Sequence, residues 1–114
     1  MKALLALIIW ALLIAVFSLI PLQSSGPELI PHQDKLIHLI CYAGLAYLSL
    51  MAFGQKGGQS IYLKLILGCI IYGIVIEIAQ ALLNTGRYFD YFDIIANIIG
   101  SLTGSLVYNF FRQK

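Results

Sequence analysis

The stretch Glu77–Gly104, EIAQALLNTGRYFDYFDIIANIIGSLTG, decides how the chain is to be read. Two apolar segments flank a short polar link. Both carry side chains that hydrocarbon tolerates poorly, Glu77 and Gln80 in the first and Asp93 and Asn97 in the second, with Arg87 and Asp90 between them. An ionisable or amide group left unpaired in lipid is costly, so such residues in spanning helices are expected to face one another inside a bundle and to mark its functional site.

Working outward, 61% of the residues are apolar and only 11% are charged, which excludes an ordinary soluble domain. Apolar runs cover roughly residues 3–20, 36–53, 61–83 and 91–111, each near the ~20 residues that a bilayer core requires. Runs such as LLALIIWALLIAVFSLI lack the alternation of a membrane β-strand. The expected fold is therefore all-α: one integral membrane domain over 1–114, a bundle of four transmembrane helices.

Charge assigns the topology. Lys2, Lys56, Lys64, Arg112 and Lys114 cluster at the two termini and the middle connection, whereas Glu28, Asp34, Asp90 and Asp93 oppose Lys35 and Arg87 at the other two. The positive-inside rule then predicts a multi-pass protein of the cytoplasmic membrane with both termini in the cytoplasm. A basic start before an apolar run also suits a signal peptide. This run is longer than a typical h-region of about 15 residues and no clear A-x-A site follows, so an uncleaved anchor is expected. His32, in the proline-rich loop that follows, reads as a solvated residue.

The second run opens with DKLIHLICYAGL. Asp34 is a plausible N-cap, and Asp34, His38, Tyr42, Leu45 and Ala46 share a face that must meet other helices. A carboxylate one turn from a histidine either caps the helix and satisfies the imidazole, or orients a proton acceptor or metal ligand. Cys41 and Cys69 fall in opposite halves of the membrane, which argues against a disulfide. Gly68 and Gly73 are expected to permit close helix approach. In the last run the aromatic group Tyr88, Phe89, Tyr91 and Phe92 suits the interface, and Asp93, Asn97, Gly100 and Gly104 recur on one face. Tyr108, Phe110 and Phe111 close that span.

Asp34, His38, Tyr42, Glu77, Gln80, Arg87, Asp90, Asp93 and Asn97 thus gather at one level, with Gly100 and Gly104 as packing positions. We read them as an outward-facing polar cavity, with Arg87 at its mouth as a fork for a carboxylate or phosphate. The combination of D-K-x-x-H with Tyr42, E-x-x-Q, Arg87, Asp90, Asp93, Asn97, Gly100 and Gly104 resembles the VanZ-like membrane proteins across residues 31–108. Leu39 stands where such proteins often have Phe. The resemblance implies a bacterial envelope protein, and an effect on susceptibility to teicoplanin-type glycopeptides.

Three functions suit these residues. The cavity binds a lipid headgroup, cell-wall precursor or lipophilic glycopeptide; or His38, Glu77 and Asp93 serve a membrane enzyme acting on a lipid-linked substrate; or the polar network only fixes helix register. No spacing matches a recognised metal motif, so neither a cofactor nor a metal is predicted. A divalent ion held by His38, Glu77 and Asp93 is a variant of the enzyme reading. Nucleic acid is not expected, since topology accounts for the basic residues. Transport is disfavoured by the apolar inner half, although a homo-oligomer would be one way to complete a path.

Overall fold

A computed structural model describes residues 2–19, 33–54, 58–83 and 91–112, with only the backbone given for Gln33–Lys35, Gly58, Gln59 and Arg112. Four helices result: α1 Lys2–Leu19, α2 Gln33–Phe53, α3 Gly58–Leu82 and α4 Tyr91–Arg112. All four are long and apolar enough to cross a membrane. The shortest, of 18 residues, spans about 27 Å at ~1.5 Å per residue. Leu5, Phe17, Leu63, Leu82 and Leu106 are among the exposed side chains, as expected of faces turned to lipid.

Two boundaries differ from the sequence reading. Helix α2 begins at Gln33, so Asp34 falls inside its first turn instead of capping it. Helix α3 takes in Gly58–Ser60 from the glycine-rich turn, because amides of a first helical turn need no partner within the helix.

The α2–α4 seam is the most extensive contact in the bundle. It is set by the two small residues of the G-x-x-x-G run. A Cβ at Gly100 would collide with the Leu39 carbonyl, and one at Gly104 with the Ala43 carbonyl. The rings of Tyr47 and Tyr108 meet edge to face one turn further on, with centroids 5.7 Å apart. Partners thus advance together along both helices, so α2 and α4 run parallel. Helix α3 lies antiparallel to both, pairing Tyr72 with Tyr42 and Tyr62 with Tyr108.

Gly73 confirms the expected close approach, since a Cβ there would sit 2.6 Å from Asn97 Nδ2. Gly68 does not: nothing lies within 4 Å of its Cβ position, because this side of α3 is exposed. Tyr108 lies near the end of the last span, as expected. It is buried between Tyr47 and Tyr62, while Phe110 and Phe111 remain exposed.

Helix α1 packs on α2 and α3 and makes no contact with α4 among the described residues. With an apolar surface all round, it is positioned by hydrogen bonds to main-chain carbonyls. Trp10 Nε1 donates to Cys41 O at 2.8 Å, the Tyr72 hydroxyl donates to Ala11 O, and Gln80 Nε2 donates to Ser18 O at 2.8 Å. Satisfying carbonyls in this way suits an apolar setting, where a polar contact has no water to compete with it. Cys41 and Cys69 are free thiols, as expected.

Candidate functional site

The polar residues of the opening stretch meet where α1 and α3 end and α2 and α4 begin. His38 is in the second turn of α2, Glu77 lies five residues before the end of α3, and Asp93 is in the first turn of α4. At ~1.5 Å per residue all three are within about 8 Å of their helix ends. One donor atom from each lies within 4.8 Å of the others. Three helices far apart in sequence therefore deliver an imidazole and two carboxylates to one point.

Local geometry explains each placement. The Gly100–Leu39 contact holds α4 against α2 one residue from His38. His38 Nδ1 then lies 3.0 Å from Asn97 Oδ1. With the carboxamide oxygen as acceptor, Nδ1 carries the proton and Nε2 lies on the opposite side of the ring. That nitrogen faces Asp93 Oδ2 at 3.7 Å, longer than a hydrogen bond. Asp93 also sits where the partial positive charge of a helix N-terminus favours a carboxylate. Tyr42 stacks parallel to the imidazole, with centroids 6.4 Å apart and 8° between the planes.

Burial is graded across the group. Glu77 and Asn97 are both 1% exposed, whereas the side chains of His38 and Asp93 each keep 11%. Glu77 and Asn97 are thus wholly enclosed, while His38 and Asp93 keep a small exposed fraction. Two polar atoms beside it, Tyr42 Oη and Asn97 Nδ2, are buried without a hydrogen-bond partner. In an apolar interior each such group costs about 1–3 kcal/mol.

Of the residues singled out from sequence, His38, Tyr42, Glu77, Asp93 and Asn97 come together. Gln80 is equally buried, but its amide nitrogen reaches across to Ser18 of α1. Gly100 and Gly104 have the packing role assigned to them. Arg87, Asp90 and the side chain of Asp34 lie outside the described residues.

Sequence reasoning missed Ser101 and Ser105, both buried on α4 in the half read as apolar. Their spacing from Asn97 was the available signal. Ser101 Oγ donates to Asn97 O at 2.9 Å and Ser105 Oγ to Leu102 O at 2.7 Å, so both hydroxyls are satisfied within their own helix and act as small packing residues.

No curated protein and no solved structure matches the chain. The VanZ/LLP1 family model does match it, over residues 3–112. Since that match takes in all four spanning helices and the polar cluster between them, this multi-pass membrane protein belongs to the VanZ/LLP1 family.

Proposed function

We propose that the protein binds the polar headgroup of an envelope lipid or lipid-linked cell-wall precursor in a cavity at the outer face of the bacterial cytoplasmic membrane. The observation that carries this reading is the convergence of His38, Glu77 and Asp93 near one end of three spanning helices. Within about 8 Å of the helix ends, the group would lie near the depth where a headgroup meets the hydrocarbon. The excess of Lys and Arg at the termini and middle connection supports reading that end as the outer one.

A network serving only to fix register fits the structure less well. The α2–α4 register already follows from Gly100 and Gly104, and a purely structural network is expected to satisfy its members, whereas Tyr42 Oη and Asn97 Nδ2 have no partner. A ligand oxygen would supply one. Arg87 and Asp90, which the sequence adds to the cavity, lie outside the described residues. A glycopeptide whose lipid tail enters the bilayer is one ligand of this shape, and competition for the same headgroup would connect the protein to teicoplanin susceptibility.

The test is equilibrium binding of fluorescent lipids and lipid-linked wall precursors to protein in nanodiscs. Glu77→Ala and Asp93→Ala should abolish saturable binding while the helical signal is retained. Equal binding by parent and both variants would remove the reading.

A second reading, a membrane enzyme that modifies such a headgroup, is favoured by the hydrogen bond that orients the His38 imidazole. In it His38 is the general base and Glu77 or Asp93 its partner. Lipid profiles of cells expressing the parent or His38→Ala would then differ, and identical profiles would dismiss catalysis.

A further inference from the structure

We infer that His38 Nε2, Glu77 and Asp93 form a binding site for one divalent metal ion of the Mn²⁺ to Zn²⁺ type. The site deepens the headgroup reading, since the ion would take a phosphate oxygen of the headgroup at its open positions.

The donor set comes first. A neutral imidazole nitrogen and two carboxylates are ligands that such ions accept, and three protein ligands leave coordination positions open. His38 is suitably oriented: its Nδ1 lies 3.0 Å from Asn97 Oδ1, which leaves Nε2 turned toward the carboxylates. A metal-bound histidine is characteristically held this way, by an acceptor on its other nitrogen.

Distances come next. Nε2 and Asp93 Oδ2 are 3.7 Å apart, too far for a direct bond. Two ligands each ~2.1 Å from a shared ion are separated by ~3–4 Å. The whole set spans 4.8 Å, so one carboxylate would move in by about 1 Å, within the reach of a side-chain rotation.

Burial adds a separate reason. A divalent ion would coordinate both carboxylates at once. It also gives purpose to the nine-tenths-buried polar atoms beside the site. Tyr42 Oη belongs to the ring stacked on His38 and lies within electrostatic range of Glu77, and Asn97 Nδ2 belongs to the carboxamide that orients His38. A water or phosphate oxygen carried by the ion would accept from Tyr42 Oη.

Protein in nanodiscs, stripped with EDTA, is dialysed against Zn²⁺ or Mn²⁺ alone, and bound metal is measured by mass spectrometry. Cobalt substitution gives a second readout, a visible d–d band. Parent protein should take up one ion per chain. His38→Ala, Glu77→Gln and Asp93→Asn should each lower affinity by at least ~10-fold, with helical circular dichroism and elution volume unchanged. Asn97 is a positioning residue: Asn97→Ala should weaken binding by ~10–100-fold and shift the cobalt band, and Asn97→Asp, which still accepts from Nδ1, should restore both. Thr103→Ala, exposed and bonded only within α4, should bind like the parent.

Substoichiometric uptake by folded parent protein, or uptake untouched in Glu77→Gln and Asp93→Asn alike, would overturn the site. Headgroup binding that survives EDTA in protein without metal overturns the site and leaves the headgroup reading standing. Metal uptake without headgroup binding upholds the site and removes that reading.

Discussion

A single methyl group added at Gly104 tests the packing on which the site depends. Its Cβ would collide with the Ala43 carbonyl oxygen and lie 2.9 Å from both the Ala43 carbonyl carbon and Cα. Ordinary contact begins at 3.4 Å, and the atoms met are backbone, which has no alternative rotamer. Helix α2 must therefore withdraw by roughly half an ångström at the carbons and further at the oxygen, and a gap of ~0.5–1 Å forfeits about a quarter to a half of the dispersion energy of the contacts it opens. With the usual ~1–3 kcal/mol for overpacking, Gly104→Ala should destabilise the fold by about 2–3 kcal/mol. Gly68→Ala is the internal control: nothing lies within 4 Å, and loss of a helical glycine should leave stability unchanged or raise it by up to ~1 kcal/mol. The measurement is unfolding in mixed micelles against SDS mole fraction, followed by circular dichroism and Trp10 fluorescence. If Gly104→Ala unfolds within ~0.5 kcal/mol of Gly68→Ala, α2 and α4 do not meet as described.

Other substitutions probe the remaining contacts. Trp10→Phe removes the donor to Cys41 O and should cost about 0.6–2 kcal/mol in the same unfolding assay, read by circular dichroism alone. Gln80→Leu releases the tether to Ser18, so amide exchange in α1 should accelerate while that of the α2–α4 seam stays slow. Tyr42→Phe deletes a buried hydroxyl that has no partner; stability should hold or rise, and a loss above ~1 kcal/mol would mean that the hydroxyl is bonded in the folded protein. Cys69, buried beside Ser49, should resist a membrane-impermeant maleimide in intact vesicles and react once the protein is unfolded.

The four spans were legible because each is a near-continuous apolar run, and the site because groups costly in lipid had few places to go. The residues His38, Glu77, Asp93 and Asn97 follow from that reasoning, as does the seam at Gly100 and Gly104. What did not follow concerns which neighbour a face meets. Gly68 and Gly73 look alike in sequence, yet one is open and the other is pressed by Asn97. Gln80 shares a helix turn with Glu77 but serves α1, since a long amide reaches whichever carbonyl is near. Trp10 is one of the few polar side chains of α1, and its sequence position does not say which carbonyl its N–H meets; the structure makes it one of the bonds that hold α1. Such contacts arise from tertiary register, which no single helix encodes.

The dominance of the α2–α4 seam also bears on how the protein is made. Translation delivers the second helix long before the fourth, so the surface of α2 formed by Leu39 and Ala43 must wait in the bilayer until residues 91–112 have been synthesised. The cluster is incomplete for the same interval, because Asp93 and Asn97 arrive last. Biogenesis therefore has a vulnerable period in which His38 and Glu77 are inserted without their α4 partners. Chains truncated after α3 should be preferred substrates for membrane quality-control proteases.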